Sequence, residues 1–309
     1  MSQFGDFEAL CALVPSYTWC NLFYRQLLDE NPKTLVGPSA KATSAPVGVN
    51  PECGIPRVNT DGSLGNIADV IVCGLSIFIV AAIIVHAGRR KAAVGRTEIR
   101  ILFFIYLATL PLQLLTTGSL LQQGSTALVA LTAIHAGLVA TLFWWLLGNA
   151  IVATQIVEDG TLSSIIPLSI IGVFFFIATT YISLDVALTL TNTFGPSNPP
   201  QALTSVPLFV LTSIWPGVAA LIYLGLMLYI VVGILNEVRP VWYYVISAIL
   251  FILSQLAYFL LSKVICQGSS AKVDGSFIAT LLETATVVVL YVAWRSITEE
   301  DWDNDGYYP

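Results

Sequence analysis

Glu283 is the residue hardest to explain as simple solvation. It lies near the middle of an apolar run from Gly275 to Trp294, beside Thr280, Thr284 and Thr286. A carboxylate at bilayer depth is costly and is a functional suspect by default. One chemistry is a proton or substrate site. The other is a structural hydrogen bond to a neighbouring helix, with His135, Gln113 and Gln255 as candidate partners. A lone carboxylate lacks the relay of partners that pumps show, which favours the structural bond. His135, inside a second apolar run, is the other buried polar candidate. His86, at the end of a third run, is placed to snorkel towards headgroups. Asp69 and Asp185 sit close to run ends and are expected to reach water. No Cys or His pair has metal-ligand spacing, and no Gly-x-Ser-x-Gly elbow, phosphate loop or intramembrane Asp pair is present. The expectation is therefore no catalytic, cofactor-binding or metal-binding residues, no cofactor and no enzymatic activity.

The elements that must position these residues are membrane helices. The 309 residues are 56% hydrophobic and only 10% charged, with mean hydropathy +0.80. Soluble domains carry about 25% charged residues, so this chain has lipid as its solvent. Its net charge of -6 excludes nucleic acid as a partner. Seven runs are long enough to cross a bilayer: Ile67 to Ala87, Ile99 to Leu121, Ala127 to Ile156, Leu162 to Leu190, Leu208 to Leu235, Val241 to Ile265 and Gly275 to Trp294. Pro111 is expected to kink the second, and Pro216 lies in the fifth. Small residues dot the third span (Gly137, Ala140, Gly148, Ala153) and the fifth (Gly225, Gly233), where internal packing is expected. The fold class is an all-α polytopic bundle. No secretory signal is visible, so the first span acts as the insertion signal.

Orientation follows from basic residues at span ends. Arg89, Arg90, Lys91, Arg96, Arg100, Arg239 and Arg295 fall on one side, which is read as cytosolic. Residues 1–66 then form a lumenal region, 67–295 the seven-helix bundle, and 296–309 a cytosolic tail. Cys11, Cys20, Cys53 and Cys266 all fall on the lumenal side, where two disulfides are expected with three pairings open. Cys73 lies within the first span. The tail holds Glu299, Glu300, Asp301, Asp303 and Asp305, and its clustered acids are similar to di-acidic signals that load cargo into export vesicles.

Several blocks together resemble the fungal chitin synthase export chaperones. They are Phe4-Gly5-Asp6-Phe7 followed by Cys11 and Cys20; Gly48-Val49-Asn50-Pro51-Glu52-Cys53, then Arg57 and Asn66; Gly95-Arg96-Thr97-Glu98; Glu158-Asp159-Gly160-Thr161; Ile265-Cys266 with Asp274-Gly275; and Trp294 with Ile297-Thr298-Glu299-Glu300-Asp301-Trp302. The blocks cover nearly the whole chain. Val14 to Cys20 departs from the Pro-Leu-Pro-Leu-Cys stretch usual in the family. The resemblance implies a multi-pass protein of the endoplasmic reticulum membrane. It implies a client-specific chaperone and export adaptor that binds a chitin synthase and enables its folding and exit. Coat proteins reading the acidic tail would be further partners, and travel with the client to the plasma membrane is implied for some members. The alternative is a seven-span receptor or transporter with a site around Glu283.

Overall fold

A computed structural model describes residues 4–30, 32–43, 47–58, 65–90, 93–191 and 193–298. In hydrocarbon every backbone polar group must be satisfied within its own segment, which leaves the helix as the element these runs can form. Among the described residues seven helices meet the length and hydropathy of membrane spans: Ile67–Arg89, Arg96–Thr117, Thr126–Ala153, Leu162–Leu188, Val206–Ile234, Arg239–Gly268 and Gly275–Ile297. They are called the first to seventh spans below. Among the described residues there is no strand, only an isolated bridge between Asp6 and Thr204.

Local chemistry sets several ends. The second span stops at Thr117, short of Leu121, because Gly118 closes the last turn and Ser119 turns left-handed at φ 61°. The third stops at Ala153, where Gln155 reverses the chain at φ 61°. Asn66, Ser125 and Asp274 cap the first, third and seventh spans by accepting from backbone N–H groups of the opening turn. The fifth and sixth spans contain π-helical turns at Val210–Ile214, Tyr229–Ile234 and Ala257–Leu261. In the first of these, the Trp215 N–H reaches back five residues to Val210 O, directly before Pro216. The wider turn fits a residue that has no N–H and would clash with the carbonyl four back.

Six spans form a ring in the order first, second, third, fifth, sixth, seventh, and the fourth packs outside against the third. Within the ring, the fifth and sixth touch most sparsely. Gly137 and Gly148 allow the third–fourth contact. A Cβ on Gly137 would lie 2.2 Å from Thr180 Oγ1, and one on Gly148 2.7 Å from Leu168 Cδ2. The fifth span differs from expectation. A Cβ on Gly225 meets nothing within 4 Å and one on Gly233 meets only Tyr229 of its own helix, so neither glycine serves internal packing.

The described residues between 4 and 58 fold as a cap over one end of the bundle. Phe7, Leu22, Phe23, Tyr24 and Leu27 are buried with Val129, Ala136, Val186 and Leu208 of the third, fourth and fifth spans. Each such side chain contributes about 1.5–3 kcal/mol on burial. Two backbone bonds pin the start of the cap to the fifth span's entry: Phe7 N–H to Leu203 O at 3.1 Å and Ser205 N–H to Gly5 O at 3.0 Å. Gly5 has φ +87°, and a Cβ there would lie 2.9 Å from Val206 Cα.

Candidate functional site

The polar residues divide into three groups: the seam between cap and bundle, the opposite end, and a cavity in the ring. At the seam, Cys11 is bonded to Cys20, and Cys53 to Cys266 at the end of the sixth span, with Cα–Cα distances of 5.7 and 6.1 Å. The first bond closes a local turn of the cap. The second ties the cap to the bundle across 213 residues of sequence. Lys263 and Glu52 form an ion pair beside it.

Asn21 is fully buried at the same seam. Its Nδ2 donates to Thr116 O of the second span at 3.2 Å. Its Oδ1 accepts from Gly48 N–H at 3.1 Å and from Gln123 Nε2 at 3.0 Å. Sequence reasoning missed this residue, since an Asn in a loop reads as a turn former. Asp69, Asn66 and Asp274 form a second buried group. Asn66 Nδ2 donates to Asp274 Oδ1 at 3.3 Å and to Ser276 Oγ at 3.1 Å. Ser16 of the cap donates to the other Asp274 oxygen, and Thr280 Oγ1, which donates to Ser276 O at 2.8 Å, lies 3.4 Å from Asp69 Oδ1. Burial pushes the Asp274 carboxyl above the usual range, against the lowering effect of the bonds from Ser16 and Ser276.

Two expectations are overturned here. Asp69 and Asp185 do not reach water; both are 0% exposed. Asp69 is enclosed by Asn66 and Cys73 of its own segment and by the seventh span at Ser276 and Thr280. Asp185 is folded over by the loop that follows its own helix, accepting from Thr191 N–H at 2.5 Å, Thr191 Oγ1 at 2.6 Å and Phe194 N–H at 3.0 Å. An acid one turn from a helix end can satisfy free loop donors, which hydropathy does not reveal.

At the opposite end, the blocks around Glu98 and Asp159 bind each other. Glu98 Oε1 accepts from Gly160 N–H at 2.8 Å and Ser164 Oγ at 2.6 Å, and Asp159 Oδ2 accepts from Gly95 N–H at 2.8 Å. Trp294 Nε1 donates to Val94 O at 2.9 Å. These interactions lock two loops to the end of the seventh span. The tail acids Glu299, Glu300, Asp301, Asp303 and Asp305 lie outside the described residues.

A cavity of about 420 Å³ lies in the ring, lined by residues of the second, third, fifth, sixth and seventh spans and, on the cap side, by Tyr17, Thr18 and Trp19. Both buried polar candidates line it. Glu283 Oε1 accepts from Gln255 Nε2 at 3.3 Å, so of the three partners considered the structure selects Gln255. Gln113 instead donates to Thr280 Oγ1 at 2.6 Å. The His135 ring lies 5.3 Å from that of Trp19, and its Nδ1 is 3.3 Å from Thr116 Oγ1. The single Thr116 hydroxyl proton goes to Leu112 O at 2.8 Å. Thr116 therefore accepts from His135, which assigns the proton to Nδ1 and leaves Nε2 as an acceptor. The structure places His135 and Glu283 on one cavity without bonding them to each other. Among the described residues no group of three or more His, Cys, Asp or Glu is arranged to hold a metal ion.

The family model described as chitin synthase export chaperone matches residues 3–306. Relatives carrying that name are 29% identical in Coccidioides immitis, over 97% of this chain and 84% of the relative. In Aspergillus clavatus the identity is 29%, over 96% and 84%, and in Aspergillus fumigatus 30%, over 96% and 84%. No solved structure matches significantly.

Proposed function

The chain belongs to the chitin synthase export chaperone family, and on that premise we propose that it binds a chitin synthase in the endoplasmic reticulum membrane and enables its folding and exit to the cell surface. The observation that carries this reading is the family match, which runs through the cap, the bundle and most of the tail. The physics fits the role. A synthase with polar groups in its spans needs partner helices while it assembles, and a multi-pass bundle supplies them without chemistry of its own. The reading places residues 1–66 in the lumen and 296–309 in the cytosol. The basic bias of the loops supports this, as do two disulfides on the cap side, the side that would be oxidising. A receptor or transporter is the weaker reading, because among the described residues the Glu283 carboxylate is bonded only to a neutral amide, that of Gln255.

The deciding experiment deletes the gene in its source fungus and follows a fluorescent chitin synthase. Retention of the synthase in the endoplasmic reticulum with reduced wall chitin supports the role; normal arrival at the surface refutes it. The acidic tail is the proposed contact for export-coat proteins. Neutralising Glu299, Glu300, Asp301, Asp303 and Asp305 together then traps the synthase, and unimpaired export removes the tail from the mechanism.

A further inference from the structure

We propose that the ring cavity binds one membrane-derived, long-chain amphiphile whose ammonium head group sits on Glu283. The proposal goes beyond the export role and requires no client. Its volume of about 420 Å³ falls within the roughly 300–1,000 Å³ of small-molecule sites. The walls are mainly apolar and aromatic, including Leu102, Phe103, Leu142, Phe143, Leu146 and Leu290, and suit an acyl chain.

The polar groups specify the head. Glu283 has one hydrogen bond among the described residues, a long one from a neutral amide, on one of its two oxygens. It remains partly accessible although it lies midway along the seventh span, because it faces the cavity. His135 offers an acceptor at Nε2. Among the described residues no Lys or Arg lines the cavity. A site that presents acceptors, one of them a carboxylate without a countercharge, selects a ligand that brings donors and positive charge. A primary ammonium supplies both.

The route in is through the bilayer. Tyr17, Thr18 and Trp19 of the cap stand in the wall at the cap end, whereas the fifth and sixth spans form the sparsest seam of the ring. A π-helical turn lies in each of these two spans where Tyr17 of the cap meets them, Val210–Ile214 at Ser213 and Ala257–Leu261 at Phe259, and such turns are frequent at functional sites. Gly217 lines the cavity there, and a Cβ added to it meets nothing within 4 Å.

The test uses the purified full-length chain in detergent micelles and two photoreactive, clickable C18 probes, a primary amine and the matching alcohol. The amine is expected to label peptides of the second, third or seventh span that line the cavity. Glu283→Gln is expected to lower amine labelling by about tenfold or more, the effect of losing a charge-assisted hydrogen bond, while alcohol labelling changes little. Leu146→Trp, which fills the cavity and keeps Glu283, is expected to lower both. Retention of the Cys53–Cys266 bond and an unchanged gel-filtration profile show that each variant is folded. Equal labelling by amine and alcohol, amine labelling that Glu283→Gln leaves intact, or labels confined to the lipid-facing surface would each overturn the proposal.

Discussion

Replacing Asn21 by Ala asks what holds the cap on the bundle. The side chain joins three pieces of chain: Gly48 in the cap, Thr116 at the end of the second span and Gln123 in the following turn. Three bonds of 3.0–3.2 Å are lost together. At about 1 kcal/mol net each this gives about 3 kcal/mol, and stranding buried groups without partners raises it towards about 5 kcal/mol. Gly48 N–H is the group most exposed to that penalty, since the site is buried and alanine supplies no acceptor. The assay is the thermal unfolding midpoint of the purified protein in detergent, with Gln123→Ala and the double variant completing a cycle. Asn21→Ala should lower the midpoint by several degrees, and the double variant should fall short of the sum, because the two residues share a bond. A midpoint within about 1 °C of the unaltered chain would refute the reasoning, since even 1 kcal/mol moves a midpoint by more than that. The cap would then be held by apolar contact and disulfides alone.

Other perturbations have outcomes of known sign. Loss of the Cys53–Cys266 bond should cost more than loss of Cys11–Cys20. Chain entropy over separations of 213 and 9 residues gives about 5 against about 2.5 kcal/mol, to be read from unfolding midpoints of the paired serine variants. Gly137→Val should unfold the third–fourth contact and reduce the yield of monodisperse protein, whereas Gly225→Ala should leave it unchanged, since only the former meets Thr180 and Phe176. Asp274 has a carboxyl raised by burial, so the folded state holds its proton more tightly than the unfolded chain. Its contribution to stability is complete below the ordinary carboxyl value of about 4 and is lost as pH rises through the raised value. Midpoints measured from pH 4 to pH 8 should therefore fall less steeply for Asp274→Asn, and parallel curves would contradict the shift.

The number and approximate place of the spans were legible in the chain because bilayer thickness acts locally. Any run of about 20 apolar residues must become a helix wherever it stands. The resemblance was legible for a related reason: its blocks sit at span ends, where Gly95, Glu98, Asp159 and Gly160 meet backbone donors and tight turns that tolerate few substitutes. Other features depended on distance between elements. Four cysteines on one side left three pairings, and only the packing of the cap beside the sixth span brings Cys53 to Cys266. Asp69 and Asp185 looked wet by position but are enclosed by segments remote or folded back in sequence. Gly137 and Gly225 are the same residue in similar helices, yet one faces a neighbouring span and the other open space. Hydropathy reports a residue's affinity for lipid and carries no information about which helix lies beside it. The ring order, the cavity and the choice of Gln255 as the partner of Glu283 were therefore decided by tertiary packing.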